Sequence, residues 1–191
     1  MDRSVSSSLI IGLLLVGIAL GLGYTMPPIK FSHRGFGEVV VGITHTFFLV
    51  LCGYSFQAGT WGGSLPGMLS VPLFFAVLAA IVLAGLPDRC ADEAVAKRTI
   101  AVIFGPKKAV LIAECFVVAA AVSALVVYRL EIDRWALIVA ACLITLHGVI
   151  LSGLLFMLLR SENFDRRIDT VMGSALSYIL WFGLIPLLSM L

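Results

Sequence analysis

Asp88 and Asp92 stand four positions apart, with Lys97 and Arg98 close behind. On a helix, residues at i and i+4 share a face, with Cβ atoms about 5–6 Å apart. Pro87, just before Asp88, suits the start of such a helix. Two carboxylates placed this way suit a hard divalent cation. Mg2+ takes one or two protein carboxylates and fills its octahedron with water and substrate phosphate oxygens. The cationic side chains of Lys97 and Arg98 suit phosphate oxygens, the arginine in a bidentate manner. The residue types therefore fit a diphosphate held through a metal at Asp88 and Asp92. A D-x-x-x-D spacing fits a solvated loop with scattered charges equally well, so spacing alone leaves both readings open.

The surrounding elements must place this loop. The chain has 191 residues, 61% of them hydrophobic and 13% charged. A soluble domain averages about a quarter charged, so this composition belongs in a bilayer. Six apolar runs, near 8–24, 39–56, 68–86, 109–128, 135–159 and 171–191, are long enough to cross it. Crossing roughly 30 Å of hydrocarbon takes about 20 helical residues. The fold class expected is all-α, a polytopic membrane helix bundle of about six transmembrane helices. Arg3 before an apolar run also fits a signal peptide, but "GLGYTMPP" is a poor cleavage site, and the run is read as a retained span.

The loops alternate in charge. Of 13 Lys and Arg residues, Arg3, Arg129 and Arg134 fall on one side. The others, Lys30, Arg34, Arg89, Lys97, Arg98, Lys107, Lys108, Arg160, Arg166 and Arg167, fall on the opposite side. The positive side is expected to be cytoplasmic, which puts both termini outside. A net charge of +2 without a basic run and interleaved aromatics excludes nucleic acid as a partner. Cys52, Cys115 and Cys142 lie in apolar runs and Cys90 in the charged loop; no pair has disulfide or zinc spacing. The three in the runs read as small buried hydrophobes.

A few polar residues fall within the runs. Glu114 reads either as a functional buried acid or as an interfacial one reaching Lys107 and Lys108. His45 and His147 read as hydrogen-bonded packing residues, and His33 as exposed. Gly17 and Gly21 form a G-x-x-x-G that permits close helix packing. Tyr24, Tyr54, Trp61, Tyr128 and Trp135 sit at run ends, where interfacial anchoring accounts for them. Asp165 and Asp169, with Glu162 nearby, form a second spaced acid pair, more simply read as an amphipathic loop.

The residue order around the charged loop adds specificity. "DRCADEAVAKRTIAVIFG" resembles the second aspartate-rich motif of the UbiA superfamily of intramembrane prenyltransferases, with Asp88, Asp92, Ala96, Lys97, Arg98, Thr99, Ala101, Val102 and Gly105 in step. Upstream, "YTMPPIKFSHRGFGE" looks like that family's loop, matched at Pro27, Pro28, Arg34, Gly35, Gly37 and Glu38. The branch it resembles is the 1,4-dihydroxy-2-naphthoate polyprenyltransferases of menaquinone synthesis. There are departures. Ala96 stands where the family usually has Gly, Ile103 where a basic residue is common, and "LAGLP" precedes Asp88 where the naphthoate branch tends to have asparagines. The family's first aspartate-rich motif, which lies among three earlier helices, has no counterpart before Asp88, where the acids are Asp2 and Glu38.

The resemblance implies one UbiA-like transmembrane domain over 1–191, corresponding to the C-terminal part of a full enzyme, truncated or split, in the cell inner membrane. It implies Mg2+ as cofactor, with Asp88 and Asp92 as its ligands. Lys97, Arg98, Arg34 and Lys30 become candidate contacts to the diphosphate. A polyprenyl diphosphate and an aromatic acceptor are the expected substrates, and a membrane subunit supplying the missing aspartate motif an expected partner. No residue is singled out as a catalytic acid, base or nucleophile. A non-catalytic isoprenoid-binding or scaffold protein derived from the family is the alternative reading, and a small transporter, resting on Glu114, a further one.

Overall fold

The structure is a computed structural model that describes residues 3–58, 64–131, 134–161 and 164–188. The described residues form helices and short connections, with no strand among them. Lipid dictates this, because a backbone without water must satisfy its N–H and C=O groups within its own segment. The chain runs through α1 (Arg3–Thr25) and a 3-10 turn (Phe31–His33) into α2 (Gly37–Ile43). A π-helical turn (Thr44–Phe48) joins α2 to α3 (Leu49–Ala58) without a break. Then come α4 (Ser64–Ala84), the short α5 (Arg89–Ala94) and α6 (Ile100–Phe104), and the long α7 (Pro106–Glu131), α8 (Arg134–Leu159) and α9 (Phe164–Leu188).

Five of these segments are long and apolar enough to cross a bilayer: Gly37–Ala58, Ser64–Ala84, Pro106–Leu130, Leu137–Leu159 and Arg167–Pro186. The sixth expected span, α1, has a shorter apolar stretch, Ile11–Thr25. Its first turns carry Arg3, Ser4, Ser6, Ser7 and Ser8, which dilute the apolar run.

The core is the bundle of α4, α7, α8 and α9. α4 lies along α7 and also meets α9, while α8 packs against α7 and α9. Small buried residues line the first crossing: Ala76, Ala79 and Ala80 on α4, Ala109, Ala113 and Ala120 on α7. Without a hydrophobic drive between helices in lipid, such small side chains let backbones approach closely. Leu111, Val118, Val122 and Val149 are more than half exposed and form the outer, lipid-facing surface. Cys115 and Cys142 share that outward exposure, so lipid rather than protein covers them.

One residue read as an interfacial anchor is placed differently. Tyr128 is 1% exposed and its hydroxyl donates to the Phe182 carbonyl at 3.5 Å, so it serves the core, not the interface. Trp135 is 80% exposed and fits an anchor, while Trp61 lies outside the described residues. His147 packs as expected. Trp181 Nε1–H donates to its Nδ1 at 2.8 Å, which leaves Nε2–H to donate to the Ser174 carbonyl at 3.1 Å.

α1 stands to one side of the bundle, against α2, α3 and the connections above them. A Cβ at Gly17 would lie 3.2 Å from the Phe48 ring, so that glycine lets the helices close, whereas Gly21 faces open space. The connections α1–α2 and α4–α7 meet at one end of the molecule and carry the charged residues.

Candidate functional site

The charged loop folds as a single helical turn with a defined stop. Asp88 is the N-cap of α5, and Asp92 N–H donates back to the Asp88 carbonyl at 2.8 Å. The two carboxylates thus come from one turn, as their spacing predicts. At the C-terminal end Ala96 N–H bonds to the Glu93 carbonyl and Lys97 N–H to the Asp92 carbonyl, with Ala96 at φ +57°. This pairing is a Schellman stop, which requires a left-handed residue at its apex and usually has glycine there. The geometry explains why glycine suits position 96, and what Ala96 gives up.

The stop folds Lys97 back over Asp92. Lys97 Nζ meets Asp92 Oδ1 at 2.8 Å. Asp92 is 8% exposed and points inward, whereas Asp88 is exposed and its side chain makes no capping bond. The Lys97 ammonium is held above its ordinary range, first by its hydrogen bond to Asp92, then by the nearby charge of Asp92, Tyr24 and Asp88; partial burial opposes the shift.

The upstream loop locks onto this turn. Arg98 N–H donates to the Ser32 carbonyl at 3.0 Å, and Ile100 N–H donates to Glu38 Oε1 at 2.6 Å. Glu38 is 5% exposed. Together with Thr99, whose hydroxyl accepts from Val102 N–H, it caps the start of α6. Glu38 was legible as part of a motif but not as a clamp, because its partner lies 62 residues away. Ser32 Oγ in turn donates to the Tyr24 carbonyl at 2.9 Å, tying α1 to the same assembly.

Of the expected phosphate contacts, Lys97 is paired with Asp92 and feels the charge of Asp88, and Arg98 follows it in the loop. Arg34 is exposed and donates to the Pro28 carbonyl at 2.8 Å; its neighbour Gly35, at φ +82°, sits against the Ile103 side chain and the Arg98 carbonyl. Lys30 lies at the start of the 3-10 turn, also in a left-handed conformation, with no ion pair to either aspartate. Arg89 is an addition: its Nε is buried without a hydrogen-bond partner.

Tyr24 links the charged residues to an apolar hollow. The Tyr24 side chain is within Coulombic reach of Lys97, Glu38 and Asp92. It also forms the wall of a cavity of about 360 Å3, with Gly17, Leu20, Val41, Thr44 and His45. A second hollow of about 480 Å3 shares Val41 and His45 with the first and is also lined by Leu73, Val77, Leu176 and Ile179.

The match to known proteins decides the family. The family model described as "UbiA prenyltransferase family" matches residues 4–169. The chain belongs to the UbiA prenyltransferase family. Comparison with curated proteins and with solved structures found no match. As a UbiA protein it is an integral membrane protein of a prenyltransferase family, with an all-α bundle.

The donor set in this UbiA chain bears on a metal. Among the described residues no group of three or more His, Cys, Asp or Glu side chains could hold a metal ion. Asp88 is exposed and Asp92 is buried against Lys97, so the turn offers at most two carboxylates, enough for a Mg2+ bound mainly through phosphate and water once Lys97 gives way. Arg89, next to Asp88 in the chain, has its Nε buried without a hydrogen-bond partner. Of the alternative acid pair, Glu162 and the Asp165 side chain lie outside the described residues, and Asp169 is exposed. Glu114 is half-buried on α7, with Oε2 buried and unpartnered.

Proposed function

We propose that this chain binds a polyprenyl diphosphate at the cytoplasmic face and, within a complete enzyme, passes the prenyl group to an aromatic acceptor. The observation that supports the reading is the meeting of the two loops: the aspartate turn and the arginine loop are clamped together, and Tyr24, which lies near Lys97 and Asp92, also lines an apolar hollow. Asp88 and Asp92 are the proposed Mg2+ ligands. That cation, when bound, supplies charge neutralisation for the departing diphosphate, so that the allylic carbon gains carbocation character. Lys97, Arg98, Arg34 and Lys30 are the proposed holders of the phosphate oxygens, with Arg89 added. Lys97 exchanges Asp92 for a phosphate oxygen when substrate arrives, which frees the carboxylate.

The hollow between α2, α4 and α9 accommodates the isoprenoid tail, since its lining is almost wholly apolar. The smaller hollow under Tyr24 takes the aromatic ring. Water excluded from both spares the reactive carbon from hydrolysis. The acceptor class follows the naphthoate branch of quinone synthesis. Further carboxylates from a membrane subunit or more of the same polypeptide complete the ligand set. On this reading the domain sits in the inner membrane, with the charged loops cytoplasmic and both termini outside.

A second reading, an isoprenoid-binding or scaffold protein without turnover, draws support from Asp92 being engaged by Lys97 and from the lack of a third acid among the described residues. The two part in one assay. Prenyl transfer from farnesyl diphosphate to 1,4-dihydroxy-2-naphthoate is measured in vesicles, with and without a membrane subunit bearing the first motif. The enzyme reading expects transfer that falls about 100-fold in Asp88→Ala, the scale of losing one charge-stabilising group. Transfer indifferent to Asp88 contradicts it. Binding of the diphosphate without transfer under any condition favours the second reading.

A further inference from the structure

His45 sits in the π-helical turn Thr44–Phe48, the one irregular turn of the Gly37–Ala58 span. Single π turns inside α-helices are rare and concentrate at functional positions. The imidazole Nδ1 lies 3.0 Å from the Val41 carbonyl and 3.2 Å from Thr44 Oγ1. A carbonyl oxygen only accepts, so Nδ1 carries the hydrogen. Thr44 Oγ1 in turn donates to the Val40 or Val41 carbonyl and accepts at most from the ring. In the neutral ring this fixes the lone pair on Nε2, which has no hydrogen-bond partner among the described residues.

Both apolar hollows beside α2 have His45 in their walls. In the larger, every other lining residue is apolar. In the smaller, the other polar side chains are Thr44, committed to its own backbone, and Tyr24, which lies toward the charged end. About seven residues separate Glu38 from His45, which at ~1.5 Å per residue puts the ring roughly 10 Å below the clamp. His45 is itself exposed to the space beside the span, and an unpaired ring nitrogen on an otherwise almost apolar wall orients whatever binds against it.

We propose that His45 Nε2 is the hydrogen-bond acceptor for a hydroxyl on the aromatic acceptor, and so selects phenol-type rings over rings without an O–H. The inference rests on the reading of the smaller hollow as the aromatic site. It makes His45 a specificity-determining contact that no motif of the loops contains.

The test uses the full chain in phosphatidylcholine nanodiscs, with 2-naphthol as probe and 2-methoxynaphthalene as its O–H-free counterpart. Wild type should bind 2-naphthol about tenfold more tightly, the usual scale of one hydrogen bond that is otherwise left unmade. His45→Phe should abolish that preference, and His45→Gln, whose amide oxygen accepts, should keep part of it. Because His45→Phe can disturb folding, 15N-histidine spectra of the wild type give a second readout. The chain has three histidines, and only the His45 Nε2 signal should move with 2-naphthol and stay still with the methoxy probe. Equal affinities for the two probes, or a preference that survives in a folded His45→Phe, overturns the proposal. Asp92→Asn should leave the preference intact while weakening diphosphate binding, so failure at His45 and failure of the diphosphate reading are separate results.

Discussion

At the scale of single residues, the site depends on how Lys97 and Ala96 finish one turn. Because the Lys97 ammonium is held above its ordinary 10.5 by Asp92, the stabilisation of that pair is complete below about pH 10.5. It is lost only as pH rises through the still higher folded value. The gap in thermal midpoint between wild type and Lys97→Gln should therefore be constant from pH 6 to 9 and should shrink above pH 10.5. A gap that closes near neutral pH would contradict the pairing. Ala96 holds φ +57° in a stop that prefers glycine. Ala96→Gly should accordingly stabilise by about 1 kcal/mol, read as a rise in thermal midpoint, since the left-handed region carries no Cβ penalty for glycine. A fall would show that the unfolded chain's gain in entropy dominates.

At the scale of elements, the aspartate turn is only as well placed as the clamp beneath it. Glu38→Ala removes the acceptor of Ile100 N–H in a buried setting, which costs about 1–3 kcal/mol. Hydrogen exchange at Ile100 and across residues 31–38 should speed up together, whereas Glu38→Gln, which still accepts, should retain most of the protection. Exchange that changes at Ile100 alone would mean that the two loops are held by something else. The helices themselves were largely legible, because apolar runs of span length leave lipid-buried backbone few other options. The aspartate turn was legible too, since its spacing and Pro87 are local signals. The clamp was not, because Glu38 and Ile100 meet only after the π turn and three intervening helices, α3, α4 and α5. The π turn was not either: nothing in "THTFF" distinguishes it from α-helix. Tyr128 was misplaced for a related reason, since a tyrosine near a span end suits the interface until α9 turns out to cover it.

At the scale of the molecule, a UbiA-family bundle of α4, α7, α8 and α9 carries a charged cap at one end, with α1 and α2 framing hollows along its side. Topology is checked with thiols. Cys90 is exposed on the charged loop, while Cys115 and Cys142 face outward from spans. A membrane-impermeant maleimide should label Cys90 in inverted vesicles but not in right-side-out ones, and should leave Cys115 and Cys142 untouched in both. Labelling of Cys90 from outside would reverse the orientation. The central claim is that Asp88 and Asp92 hold a prenyl diphosphate through a divalent cation. Its most direct measurement is the affinity of the chain in vesicles for farnesyl diphosphate, with Mg2+ and with chelator, for wild type, Asp88→Asn and Asp92→Asn. The account predicts that chelator and either substitution each weaken binding about tenfold or more, as expected when a ligand and its charge are lost together. An affinity that is the same in all of these conditions would contradict it.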